Sequence, residues 1–94
     1  MHGLRALSPT AETYARACAL RLREDPRDPD ALFARAAILA SLGRRAEALV
    51  TLDRLARLAP TYPGLWRFKA RLFRDLGDPR MADLCLEAAR REDL

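Results

Sequence analysis

Few side chains in this sequence have reactive potential, and their spacing decides what chemistry is open to them. The single histidine, His2, sits in a tail ahead of the first helix signal, where nothing positions it as a general base. The two cysteines, Cys18 and Cys85, lie far apart, form no CxxC pair and have no histidine beside them. Neither a disulfide framework nor a zinc site follows from that pattern. Cys18 falls on an apolar stripe and reads as a small hydrophobe, and nothing next to Cys85 marks it as a nucleophile. Asp75 and Asp78 make a carboxylate pair, but Asp78 is needed as a helix cap. No Gly-rich phosphate loop, metal-ligand spacing or nucleophile–base pair occurs. The expectation is a non-catalytic protein with no cofactor and no metal.

Arginine spacing is more informative. Arg67, Arg71 and Arg74 recur at i, i+4 and i+7, so on a helix they share one face and repel each other. Forked guanidinium groups are suited to carboxylates. The functional reading is a basic ladder that accepts an acidic segment. The competing reading is a solvated face in an arginine-rich chain, relieved by Asp75. A net charge of +4 also raises the alternative of a nucleic-acid binder. Acids alternate with arginines along most of the chain, and no aromatics interleave a basic track, which counts against that alternative.

These residues need elements to hold them. With 94 residues, half of them hydrophobic, the chain is sized for one small domain. Ala and Leu dominate the apolar set, with a single Ile (Ile38) and a single Val (Val50), a bias that favours helix over sheet. Lys69 is the only lysine, and Asn and Gln are absent, as a GC-rich genome or selection against thermolabile amides would produce. No apolar run is long enough to span a bilayer, and Met1 to Leu7 is too short for a signal peptide. The expected setting is cytoplasmic.

Ser8-Pro9, Asp28-Pro29 and Asp78-Pro79 each place a capping side chain before a proline, which is tolerated at the first helical position. Thr61 and Pro63 offer a looser start, Gly43 and Gly77 suit helix ends, and Pro26 and Pro60 stop the helices before them. Five helices are predicted, over Pro9–Glu24, Pro29–Leu42, Arg45–Leu58, Pro63–Leu76 and Pro79–Glu92. Their apolar stripes recur at 3.6-residue spacing. They comprise Ala11, Tyr14, Ala15, Cys18 and Leu22 in the first; Leu32, Ala36, Leu39 and Leu42 in the second; Ala48, Leu49, Leu52, Leu55 and Ala56 in the third; and Trp66, Ala70, Phe73 and Leu76 in the fourth. The short connections require neighbouring helices to run antiparallel.

One offset of 34 residues separates Pro26 from Pro60 and Gly43 from Gly77. It also carries Leu32 onto Trp66, Ala36 onto Ala70, Leu39 onto Phe73, Ala48 onto Ala82 and Leu52 onto Leu86. On these residues the chain resembles the tetratricopeptide repeat family, whose unit is a 34-residue helix-turn-helix. The small residues let paired helices approach closely, while Leu52, Trp66, Phe73 and Leu86 fill the gap between successive pairs. Two departures stand out: Leu55 occupies the later small position of the first unit, and Tyr14 stands where an Ala is usual. Too few units and no Asn are present for the carboxylate clamp that some family members build.

The resemblance implies an all-α fold, a fragment of a right-handed α-solenoid: two units, about 29–62 and 63–94, preceded by one extra helix. The single domain is expected over 9–94, after a tail at 1–8. It also implies a concave groove lined by the first helix of each unit, on Phe33, Ala37, Ala40, Arg67, Arg71 and Arg74. The last helix carries apolar residues around much of its circumference, and Met81, Leu84, Cys85 and Ala88 are expected to form an edge for self-association or docking. The expected partner is a protein or peptide with an acidic segment, or a second copy of the chain; neither a membrane nor a nucleic acid is the expected partner.

Overall fold

A computed structural model describes residues 9–92, which form five helices joined by short turns: α1 (Pro9–Glu24), α2 (Pro29–Ser41), α3 (Arg45–Leu58), α4 (Leu65–Asp75) and α5 (Pro79–Glu92). The tail expected at residues 1–8, with His2 and the Ser8 cap, lies outside the described residues. Helices α2 and α3 form one hairpin and α4 and α5 the next; α1 packs on α2, and α3 on α4. The described residues contain no strand, and none of their helices is long and apolar enough to cross a membrane.

The capping chemistry is as the proline pairs suggest. The Asp28 carboxylate accepts the Ala31 N–H at 3.1 Å, and the Asp78 carboxylate accepts the Met81 N–H at 3.1 Å. One orphan amide at each of these helix starts is thereby satisfied. The ends of α2 and α4 match each other as well. Arg44 N–H reaches back to Leu39 C=O at 2.9 Å and Gly43 N–H to Ala40 C=O at 3.0 Å; Asp78 N–H reaches Phe73 C=O at 2.8 Å and Gly77 N–H Arg74 C=O at 3.0 Å. This is a six-to-one bond enclosing a five-to-two bond around a left-handed glycine, with φ 79° at Gly43 and 80° at Gly77.

Three boundaries differ from expectation: α2 ends at Ser41 and α4 at Asp75, each one residue early, and the larger shift is at the start of α4. Helix α4 starts at Leu65, two residues after Pro63, because Pro63 and Gly64 are the centre of a tight turn. Leu65 N–H bonds Tyr62 C=O at 3.1 Å, and Gly64 has φ 81° and ψ −5°, the type II geometry that wants proline followed by glycine.

Packing follows the small-residue logic. Ala36, Ala48, Ala70 and Ala82 are all buried, where paired helices cross closely. Leu32, Leu52, Leu55 and Leu65 are the largest fully buried side chains. Helix α4 buries two faces. Leu65 and Leu72 join the core of α2 and α3, whereas Ala70, with half-buried Trp66 and Phe73, packs with Ala82, Cys85 and Leu86 of α5. The stripe expected on α4 is only the second of these faces; stacking on the preceding pair supplies the first. Leu42 and Leu76, expected at the ends of core stripes, are instead exposed caps. Tyr14, expected on the packed stripe of α1, is 56% exposed. Among the described residues α1 has a helix on one side only, so Cys18 turns inward, its thiol donating to Ala31 C=O at 3.0 Å, while Tyr14 faces outward.

Candidate concave groove and terminal edge

A groove of about 470 Å³ runs between α2 and α4, lined by Phe33, Ala37 and Ala40 from one helix and Phe68, Arg71 and Leu72 from the other. At one end Arg45 and Asp75 approach to 3.9 Å and bridge the start of α3 to the end of α4. The floor is aromatic. The Phe33 ring centroid lies 5.6 Å from that of Phe68 and 5.0 Å from that of Tyr62, both tilted, in the range favoured by ring quadrupoles. Tyr62 is anchored by its hydroxyl, which donates to the Asp30 carboxylate at 2.6 Å. That bond stabilises the neutral phenol, and with burial it pushes the Tyr62 pKa up to about 12. Gly64 lies under the same cluster; a Cβ there would meet the Phe33 ring tip at 3.8 Å.

The residues expected on the concave face are therefore only partly gathered. Phe33, Ala37, Ala40 and Arg71 share the groove. Arg67 lies beside a separate cleft of about 240 Å³ with Trp66, Ala89 and Glu92, and Arg74 lines neither. Translation by one repeat explains the split. The offset takes Phe33 to Arg67 and Ala40 to Arg74, which are the same side of an equivalent helix. A groove between two parallel layer helices needs opposite sides, so α4 presents Phe68 and Asp75 to α2 while Arg67 lines the other cleft. Arg71, the equivalent of Ala37, lies between the two sides and still reaches the groove. Phe68 was missed for this reason; a one-residue shift from Arg67 along α4 would have found it. The relief expected from Asp75 for the arginine ladder goes to Arg45 instead.

At the other candidate surface, Met81 and Leu84 are exposed, Leu84 by 56%, and Ala88 is half-buried on the same face of α5. Cys85 does not belong with them. It is 4% exposed and packs against Ala70 and Ala82, one residue round the helix from Leu84 and therefore facing inward. Burial pushes the thiols of Cys85 and Cys18 up, away from the thiolate form that reacts or binds metal. Among the described residues no cluster of three His, Cys, Asp or Glu side chains is placed to hold a metal ion.

One polar cluster was not anticipated. Lys69 is buried on α4, its Nζ 2.7 Å from the Asp53 carboxylate of α3 and 4.8 Å from the centre of the Trp66 ring. Carboxylate and ring together hold a charge that burial would otherwise penalise. The acid lies 16 residues before the lysine on another helix, so no local pattern announces the pair.

Comparison with known proteins agrees with this geometry. Residues 29–72 match the family described as Tetratricopeptide repeat. No curated protein and no solved structure matches the chain. Tetratricopeptide repeats generally mediate protein–protein interaction and are typically not catalytic. With the 34-residue spacing, the paired caps and the stacked hairpins, the match identifies this chain as carrying a tetratricopeptide-repeat-like domain.

Proposed function

We propose that the protein is a non-catalytic interaction module that takes a peptide or partner protein in the groove between α2 and α4. The supporting observation is the pairing of an aromatic floor, Phe33 and Phe68, with the Arg71 guanidinium in one groove of about 470 Å³. An apolar side chain set over the rings would gain burial, and an acidic neighbour would meet Arg71 in forked geometry. Arg71 makes no ion pair among the described residues, so it has no internal carboxylate to give up. The preferred partner is accordingly an acidic segment. A further contact runs through the exposed face of α5, Met81, Leu84 and Ala88, and joins the chain to a second copy.

Capture experiments from the source cell test the groove. Phe33→Ala and Arg71→Glu, checked for unchanged helicity and melting, are expected to lose the proteins retained by the unaltered chain. The combined Arg67, Arg71 and Arg74 to Glu variant is expected to lose them too. Retention of the same set by all three variants would remove the concave reading.

A further inference from the structure

Among the described residues, a cleft larger than the α2–α4 groove lies on the other side of α2, lined by α1, α2 and α3. It encloses about 610 Å³, with Leu22, Leu39 and Val50 along its floor and Arg35 and Arg54 at its rim. Val50 is 67% exposed, the most of any large apolar side chain described.

The repeat shows what this cleft lacks. The 34-residue offset takes Arg35 onto Lys69, Ala19 onto Asp53 and Leu32 onto Trp66. In the second unit Lys69 is buried, paired with Asp53 at 2.7 Å and set over the Trp66 ring at 4.8 Å. In the first unit the equivalent cation, Arg35, shares the cleft with Ala19, which stands at the position of the acid, and Leu32, buried in the core, stands at the position of the ring. Arg35 is exposed and makes no hydrogen bond or ion pair among the described residues, and the same is true of Arg54. Glu47 also lines the cleft, but Arg44 holds it with two hydrogen bonds of 2.7 Å. Arg35 contributes to the field that keeps Glu47 ionised without bonding it directly.

We infer that this cleft docks an acidic segment of a partner protein, whose carboxylate pairs with Arg35 as Asp53 pairs with Lys69. The charge complementarity is specific to one position: an acid on the incoming segment replaces the one that Ala19 does not supply. The apolar floor requires more than a charge. A Leu-sized side chain one helical turn from the acid covers Val50 and Leu22, whereas a free anion would leave them in water. Docking here leaves the α2–α4 groove open, so the two faces of the stack can be occupied together.

The test uses the whole chain and a short labelled helical peptide with Glu and Leu at four-residue spacing, followed by fluorescence anisotropy at low salt. The Glu peptide is expected to bind at least about tenfold more tightly than its Gln counterpart. Ala19→Asp places a carboxylate opposite Arg35 within the chain; it is expected to weaken binding about tenfold without lowering the melting temperature. Arg35→Glu gives the same loss, and Arg80→Glu, on the exposed start of α5 and in neither groove, gives none. No binding of the Glu peptide overturns the inference, as does unchanged binding by both Ala19→Asp and Arg35→Glu. Loss in Arg71→Glu alone moves the peptide to the concave groove and overturns it while leaving the concave reading intact. Displacement by free glutamate at equal concentration reduces the cleft to an anion site and also overturns it.

Discussion

At the residue scale, Tyr62 ties three parts of the chain together: its ring packs on Phe33, its hydroxyl bonds Asp30, and the turn that follows it starts α4. The neutral phenol is the donor to Asp30, so folding favours the protonated form and the folded pKa of about 12 exceeds the ordinary 10.0. The contribution is complete below pH 10 and is lost as the pH rises from 10 toward 12. Denaturant melts across that window are expected to show an alkaline loss of stability that Tyr62→Phe removes. An equal loss in the variant would place its origin elsewhere. Asp30 precedes Tyr62 by 32 residues, so the pair is invisible to any local reading. The offset does hint at it, because partners nearly one repeat apart sit on neighbouring helices of the same layer.

At the scale of the element, the aspartate–proline starts were legible because a cap is a local device: one side chain and one backbone amide within a single turn. Asp28→Ala and Asp78→Ala are each expected to lower stability by about 1 kcal/mol, read from urea unfolding. Asp28 is expected to be the more costly of the two, since it also accepts from Arg21 at 2.7 Å and joins α1 to α2. The Ala31 amide, followed by Arg21, holds the Asp28 pKa below its ordinary value, so its contribution is present at neutral pH and fades as the pH falls below about 3.8. Equal melting of both variants and the unaltered chain would show these caps to be energetically idle. Pro63 was misread as a helix start because proline suits both a first helical position and the second position of a turn. The glycine after it, at positive φ, decides for the turn.

At the scale of the whole molecule, the two ends of the stack differ. Helix α1 leaves Tyr14 and the Arg35 cleft uncovered, and α5 leaves Met81 and Leu84 uncovered. Exposed apolar faces at the ends of a quasi-one-dimensional stack favour association. Sedimentation of the unaltered chain is expected to show a species larger than the monomer at high concentration, and Leu84→Asp is expected to return it to monomer. A strict monomer throughout, with a normal melting transition, would remove self-association from the proposal.

The sequence by itself determined the elements and their period. Helix caps, stops and 3.6-residue stripes act over a few neighbouring residues, and a 34-residue repetition is plain in the order of Pro, Gly, Ala and Leu. It also determined which small side chains would be buried, because close helix crossings tolerate nothing larger. Only the tertiary structure decided which side of each helix faces its neighbour: Phe68 instead of Arg67 toward α2, Cys85 inward beside Leu84, and Lys69 buried on Asp53 while Arg35 stays open. Those outcomes depend on how far successive hairpins rotate and slide as they stack. That geometry is set by the joint packing of residues distant in the chain, and no local periodicity encodes it.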